Sequence, residues 1–97
     1  MNLDIKGKQA IVCASSKGLG RACAISLARN GVSVVINGRN EAALAATAQD
    51  IESFSDVSVT PVRADVSTLE GQRALLDACP DPDILINNNG GPPFKDF

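Results

Sequence analysis

Hydrophobic and polar positions along this 97-residue chain switch between two rhythms. QAIVC (9–13) is a short apolar run with β-branched members, as in a strand buried on both faces. After two spaced glycines, Leu19, Cys23 and Leu27 recur at helical spacing with Ala22 and Ile25 alongside. They predict a first helix and form its expected buried stripe. Asn30-Gly31 supplies the stop, because glycine tolerates the left-handed backbone that closes a helix. VSVVIN (32–37) predicts a second strand, and Asn40 can cap a second helix buried through Leu44, Ala48 and Ile51. VSVTPV (57–62) predicts a third strand, which Pro61 assigns to a sheet edge because proline has no N–H to donate. Ser67-Thr68-Leu69-Glu70 has the form of a capping box and opens a third helix with Leu69, Leu76 and Cys79 inward. Pro80 and Pro82 end that helix, and DILIN (83–87) predicts a fourth strand.

Strands alternating with helices through short connections predict an α/β fold, a parallel sheet covered by helices on both faces. Right-handed crossovers then favour a doubly wound sheet in the order 3-2-1-4, with Pro61 on its edge strand. Composition limits the rest. Apolar residues make up 44% of the chain, with three Phe and neither Trp nor Tyr, so Val, Ile, Leu and Ala must build the core. A net charge of −2 without a basic block argues against nucleic acid or an anionic membrane surface as partner. No apolar run approaches the roughly 18 residues needed to cross a bilayer. MNLDIKGKQ has no secretory apolar core, and the three cysteines (Cys13, Cys23, Cys79) include no CxxC pair. A reducing, cytoplasmic setting is expected, with the thiols as small core or turn residues. With no histidine and the cysteines far apart, no metal site is expected.

The stretch Cys13-Ala14-Ser15-Ser16-Lys17-Gly18-Leu19-Gly20 lies where the first strand hands over to the first helix. At such a turn, exposed N–H groups and the helix dipole favour a phosphate. Small residues let the backbone approach a pyrophosphate, and Gly20 allows close packing of helix on strand. The alternative is an ordinary tight turn that uses glycine for conformation alone.

The same stretch resembles the T-G-x-x-x-G-x-G segment of the short-chain dehydrogenase/reductase family. Asn87-Asn88-Asn89-Gly90 is similar to that family's N-N-A-G segment, and Asp65-Val66 falls at its Asp-Val position after the third strand. Three motifs in order, each at the end of an expected strand, carry the resemblance over essentially the whole chain. Cys13 stands for Thr, Ala14 for the first Gly, and Asn89 for Ala. The resemblance implies a Rossmann-type fold. It implies cofactor contacts from Ala14, Ser15, Ser16, Lys17, Gly18, Leu19 and Gly20 at the turn, from Asp65 and Val66 at the adenine, and from Asn88 and Gly90. Asn88 is also readable as a turn-forming residue before Gly90-Gly91-Pro92-Pro93, and Asp65 as a helix-preceding turn residue beside Ser67.

NAD enzymes of this architecture usually place an acidic residue at the end of the second strand, against the ribose 2′-OH. Here the neighbourhood is Asn37-Gly38-Arg39-Asn40, with no carboxylate. Arg39 offers a planar fork suited to a phosphate, and Lys17 is a second cation near the turn. The family resemblance ties a basic residue at either place to NADP(H), which is the expected cofactor.

The resemblance also implies hydride transfer between the nicotinamide and a carbonyl or alcohol carbon, with a Ser and a Tyr-x-x-x-Lys motif managing the proton. No tyrosine is present, so the catalytic residues are expected beyond residue 97. The chain (1–97) then reads as the dinucleotide-binding portion of a single larger domain of roughly 250 residues. Its partners would be a small carbonyl, alcohol or 3-oxoacyl thioester substrate, the C-terminal remainder, and further copies of itself in a homo-oligomer. Two rival readings are a non-catalytic dinucleotide-binding module or inactive fragment, and a methyltransferase with a similar sheet. A methyltransferase would show a denser glycine motif and an acidic ribose partner in place of Arg39.

Overall fold

The computed structural model describes residues 6–13 and 18–87. Four strands and three helices alternate: β1 Gln9–Cys13, α1 Gly18–Arg29, β2 Ser33–Gly38, α2 Glu41–Glu52, β3 Val59–Arg63, α3 Leu69–Ala78 and β4 Ile84–Asn87. The strands form one parallel sheet in the order β3-β2-β1-β4. This is a Rossmann-like arrangement, and the Pro61 argument holds: β3 is an edge strand on which only Val59 and Val62 are even half-buried.

Because successive side chains on a strand face opposite ways, the sheet builds two unequal cores. Ala10, Val12, Val34 and Ile36 join Ala24, Ala28, Val32, Leu44, Ala48 and Ile51 in the larger one, under α1 and α2. Ile11, Cys13 and Val35 meet Leu75 and Cys79 on the opposite face, under α3, with half-buried Val62 and Val66 against them. That second face is thinly covered: Leu85 of β4 is 53% exposed and Leu76 of α3 is 50% exposed.

Local signals explain the helix ends. Asn40 accepts from the Ala43 amide at the start of α2. Gly31, at a φ of 82°, closes α1 in a Schellman motif: its N–H donates to Ala28 and that of Val32 to Leu27. Three expectations are corrected. The buried stripe of α1 is Gly20, Ala24 and Ala28, while Leu19 is 69% exposed, Ala22 is exposed, and Cys23, Ile25 and Leu27 are half-buried. Small residues face the sheet because they let helix and strand approach closely, and the bulkier row is left at the flank. On α3 the buried row is Gly71, Leu75 and Cys79, not Leu69 and Leu76. Its N-cap is Thr68, one residue later than the capping-box reading: Thr68 Oγ1 accepts from the Gly71 amide, while the Ser67 hydroxyl is turned to Asp65. Strand bounds also move slightly: β2 is shifted by one residue to Ser33–Gly38, β3 runs Val59–Arg63, and β4 begins at Ile84. Among the described residues, no helix is long and apolar enough to cross a membrane.

Candidate functional site

Parallel register brings the carboxyl ends of all four strands to one edge: Cys13, Gly38, Arg63 and Asn87, with Cys13 directly opposite Asn87 and Gly38 opposite Arg63. In open α/β sheets this edge, outside the strand ends, is where ligands bind. The sequence motifs converge here. Ala14, Ser15, Ser16, Lys17, Asn88 and Gly90 lie outside the described residues.

Gly18 opens α1 at a φ of 64°, a left-handed conformation that disfavours a side chain. Nothing among the described residues lies within 4 Å of where its Cβ would stand. The first turn of α1 has no acidic residue to oppose the positive end of its dipole. Gly20 is buried against the sheet, while Leu19 points outward. Among the described residues the start of α1 thus offers an open approach and no negative charge, conditions that favour an anion.

Arg39 follows β2 and is exposed. Its neighbour Asn37 is only 2% exposed, and its Nδ2 donates to the Val62 carbonyl (3.1 Å) and the Ala64 carbonyl (3.0 Å). The Ala64 amide donates to the Gly38 carbonyl at 3.2 Å, and Arg63 Nε donates to the Arg39 carbonyl at 3.3 Å. The ends of β2 and β3 are thus laced together by side chains as well as by the ladder.

Asp65 and Val66 follow directly, both half-buried. Asp65 Oδ1 accepts from the Ser67 amide (2.9 Å) and the Ser67 hydroxyl (2.6 Å). Those two hydrogen bonds, the hydroxyl's first, hold its carboxyl below the ordinary range, and the positive charge of Arg39 works in the same direction. The Asp65 carbonyl accepts from the amide and hydroxyl of Thr68, whose Oγ1 in turn caps α3 at the Gly71 amide. Asp65 therefore has the geometry of a turn residue beside Ser67.

On the α3 side, a groove of about 250 Å³ opens at the same edge, lined by Cys13, Val66, Leu75, Leu85 and Asn87 among others. Asn87 Oδ1 is buried there without a hydrogen-bond partner among the described residues. Burial pushes the Cys13 thiol up, which favours its neutral form. Asn37 and Arg63, which brace this edge, were not singled out by sequence reasoning. Their one signal was position at a strand end, since their hydrogen-bond partners are brought near by the fold alone.

Comparison with known proteins agrees with this arrangement. Residues 8–97 match the family model described as short chain dehydrogenase. The chain is 40% identical over 91 residues to the uncharacterized oxidoreductase YvaG of Bacillus subtilis, spanning 93% of this chain and 34% of that protein. It is 36% identical over 94 residues to glucose 1-dehydrogenase 2 of the same organism, spanning 93% of this chain and 36% of that protein. Among solved structures, L-sorbose reductase of Gluconobacter frateurii, complexed with NADPH and L-sorbose, superposes with a TM-score of 0.88 at 34% identity. That match covers 94% of this chain and 36% of the reductase. The chain therefore spans about a third of the length of the relatives it matches. A family match over nearly every residue, with the β3-β2-β1-β4 sheet and its glycine turn, shows that the chain belongs to the short-chain dehydrogenase family.

Proposed function

We propose that this chain is the dinucleotide-binding portion of an NADP(H)-dependent oxidoreductase acting on a small carbonyl or alcohol substrate. The observation that carries the cofactor choice is the end of β2: Gly38 is followed by an exposed Arg39, with no carboxylate to accept a ribose 2′-OH. A guanidinium at that place suits a 2′-phosphate. Lys17, one residue before α1, would add a second positive charge. The acyl thioester reading of the substrate remains one candidate beside sugars and simple ketones, because substrate-selecting loops vary within a fold.

When bound, the nicotinamide supplies the hydride chemistry, and the protein's part is binding, orientation and electrostatics. In this chain the N–H groups at the start of α1 would take the pyrophosphate, with Gly18 keeping the approach clear. Gly20 keeps helix and strand close. Asp65, held by Ser67, would orient the adenine together with Val66, and Arg39 would hold the 2′-phosphate. Asn88 and Gly90 would complete the loop after β4. Asn87 holds a buried acceptor ready for a donor from a neighbouring segment. Proton transfer to the substrate would fall to Ser, Tyr and Lys residues supplied by the remainder of the protein.

The test is titration of the full-length protein with NADPH and NADH, beside the Arg39→Ala and Lys17→Ala variants. NADPH is expected to bind at least about tenfold tighter, a gap of about 1.4 kcal/mol, and the variants are expected to lose that preference. A folded full-length protein that binds neither nucleotide would sink the reading.

A further inference from the structure

We propose that Arg63 is a positioning residue for dinucleotide selectivity, holding the backbone of Arg39 in place from the neighbouring strand. The inference rests on the NADP(H) reading of Arg39 given above. Two adjoining features leave the end of β2 in need of support. The strand beside it, β3, is an exposed edge strand, paired on one side only. Strand ends of that kind fray readily. And Arg39 lies one residue past Gly38, the last residue of the β2 ladder, so the ladder itself does not reach it.

Where the ladder ends, a side chain carries the support further. Arg63, paired with Gly38, turns its Nε–H back onto the Arg39 carbonyl at 3.3 Å. Asn37, two residues before Arg39, fixes the other half of the clasp by donating to Val62 and Ala64 from a position only 2% exposed. The Arg39 backbone is thereby held while its side chain faces solvent. A group that must capture a phosphate benefits from this arrangement, since ordering done before binding is not charged against affinity. Only the 2′-phosphate distinguishes NADPH from NADH. A change that loosens Arg39 therefore weakens one ligand and spares the other.

The experiment uses full-length protein carrying Arg63→Met or Arg63→Gln, with Arg39→Ala in parallel. NADPH and NADH dissociation constants are measured by titration, and a thermal melt checks folding. Gln places an amide nitrogen at the position of the arginine Nε, so Arg63→Gln keeps the donor and removes the charge, while Arg63→Met removes both. One hydrogen bond corresponds to a change of about three- to tenfold, so Arg63→Met is expected to lower the NADPH/NADH preference by about that factor with NADH binding unchanged. Arg63→Gln is expected to stay within about twofold of the parent, well inside the span of one lost hydrogen bond. The proposal is overturned if Arg63→Met leaves the preference intact. It is also overturned if Arg63→Gln falls as far as Arg63→Met, which assigns the effect to charge, or if both nucleotides weaken together. Should Arg39→Ala itself leave the preference intact, the NADP(H) reading and this proposal fall together. Should Arg39→Ala abolish the preference while Arg63→Met does not move it, this proposal alone falls.

Discussion

Replacing Gly71 by alanine should destabilise the protein, against the ordinary rule for helices. Gly71 is in the first turn of α3, where alanine is normally favoured over glycine by about 1 kcal/mol. Here a Cβ would collide with the carbonyl carbon and oxygen of Asp65 and stand 3.1 Å from Thr68 Oγ1. Neither group can yield cheaply. The Asp65 carbonyl is held by the Thr68 amide (3.1 Å) and hydroxyl (2.8 Å), and Thr68 Oγ1 caps the helix at the Gly71 amide itself. Forcing a methyl group into packed surroundings costs about 1–3 kcal/mol, and losing a threonine cap adds about 1 kcal/mol. With the helix-propensity gain set against these, the net loss is about 2 kcal/mol. Urea unfolding of full-length Gly71→Ala should show a lower midpoint at an unchanged slope. Because Asp65 would move with its carbonyl, dinucleotide affinity should fall as well. A Gly71→Ala protein as stable as the parent would refute the reasoning, showing that the contact between α3 and the β3 turn relaxes freely.

The capping register can be settled by comparison: Thr68→Ala should lose about 1 kcal/mol in urea unfolding, and Ser67→Ala clearly less, whereas a capping box at Ser67 would reverse the order. Asp65 should give a pH signature. Its folded pKa is depressed, so its contribution to stability is complete above the ordinary value of 3.8 and is lost as pH falls through the depressed one. Melts of the parent and Asp65→Asn proteins should therefore differ at neutral pH and converge in acid, and curves that stay parallel would argue against the Ser67 hydrogen bonds. Finally, the 97-residue chain prepared alone should self-associate through the thinly covered face. Leu85→Lys should reduce that association in sedimentation, since Leu85 is 53% exposed on an edge strand. A monomeric, cooperatively melting chain would contradict this.

The succession of elements was legible in the residues because each signal is local. Four short apolar runs, the Asn40 cap, the Gly31 stop and the N–H missing from Pro61 act within a few positions of themselves. With the rule of right-handed crossovers, they suffice for the β3-β2-β1-β4 order. The glycine turn and the strand ends that carry Arg39 and Asp65 were legible for the same reason. Which row of a helix faces the sheet was not. On α1 both Leu19-Cys23-Leu27 and Gly20-Ala24-Ala28 are apolar rows at helical spacing, and periodicity ranks the bulkier one higher. Close approach of helix and sheet selects the smaller row, and that selection exists only once two elements are in contact. The clasp is likewise a property of the assembled sheet. Asn37 and Arg63 meet partners 24 to 27 positions away along the chain, so no window of sequence holds both sides of those bonds. Sequence by itself determined which elements form, in what order, and which chemistry lies at their ends. Tertiary structure alone decided which side chains hold that chemistry in place, because the distances that matter there are set across strands and not along them.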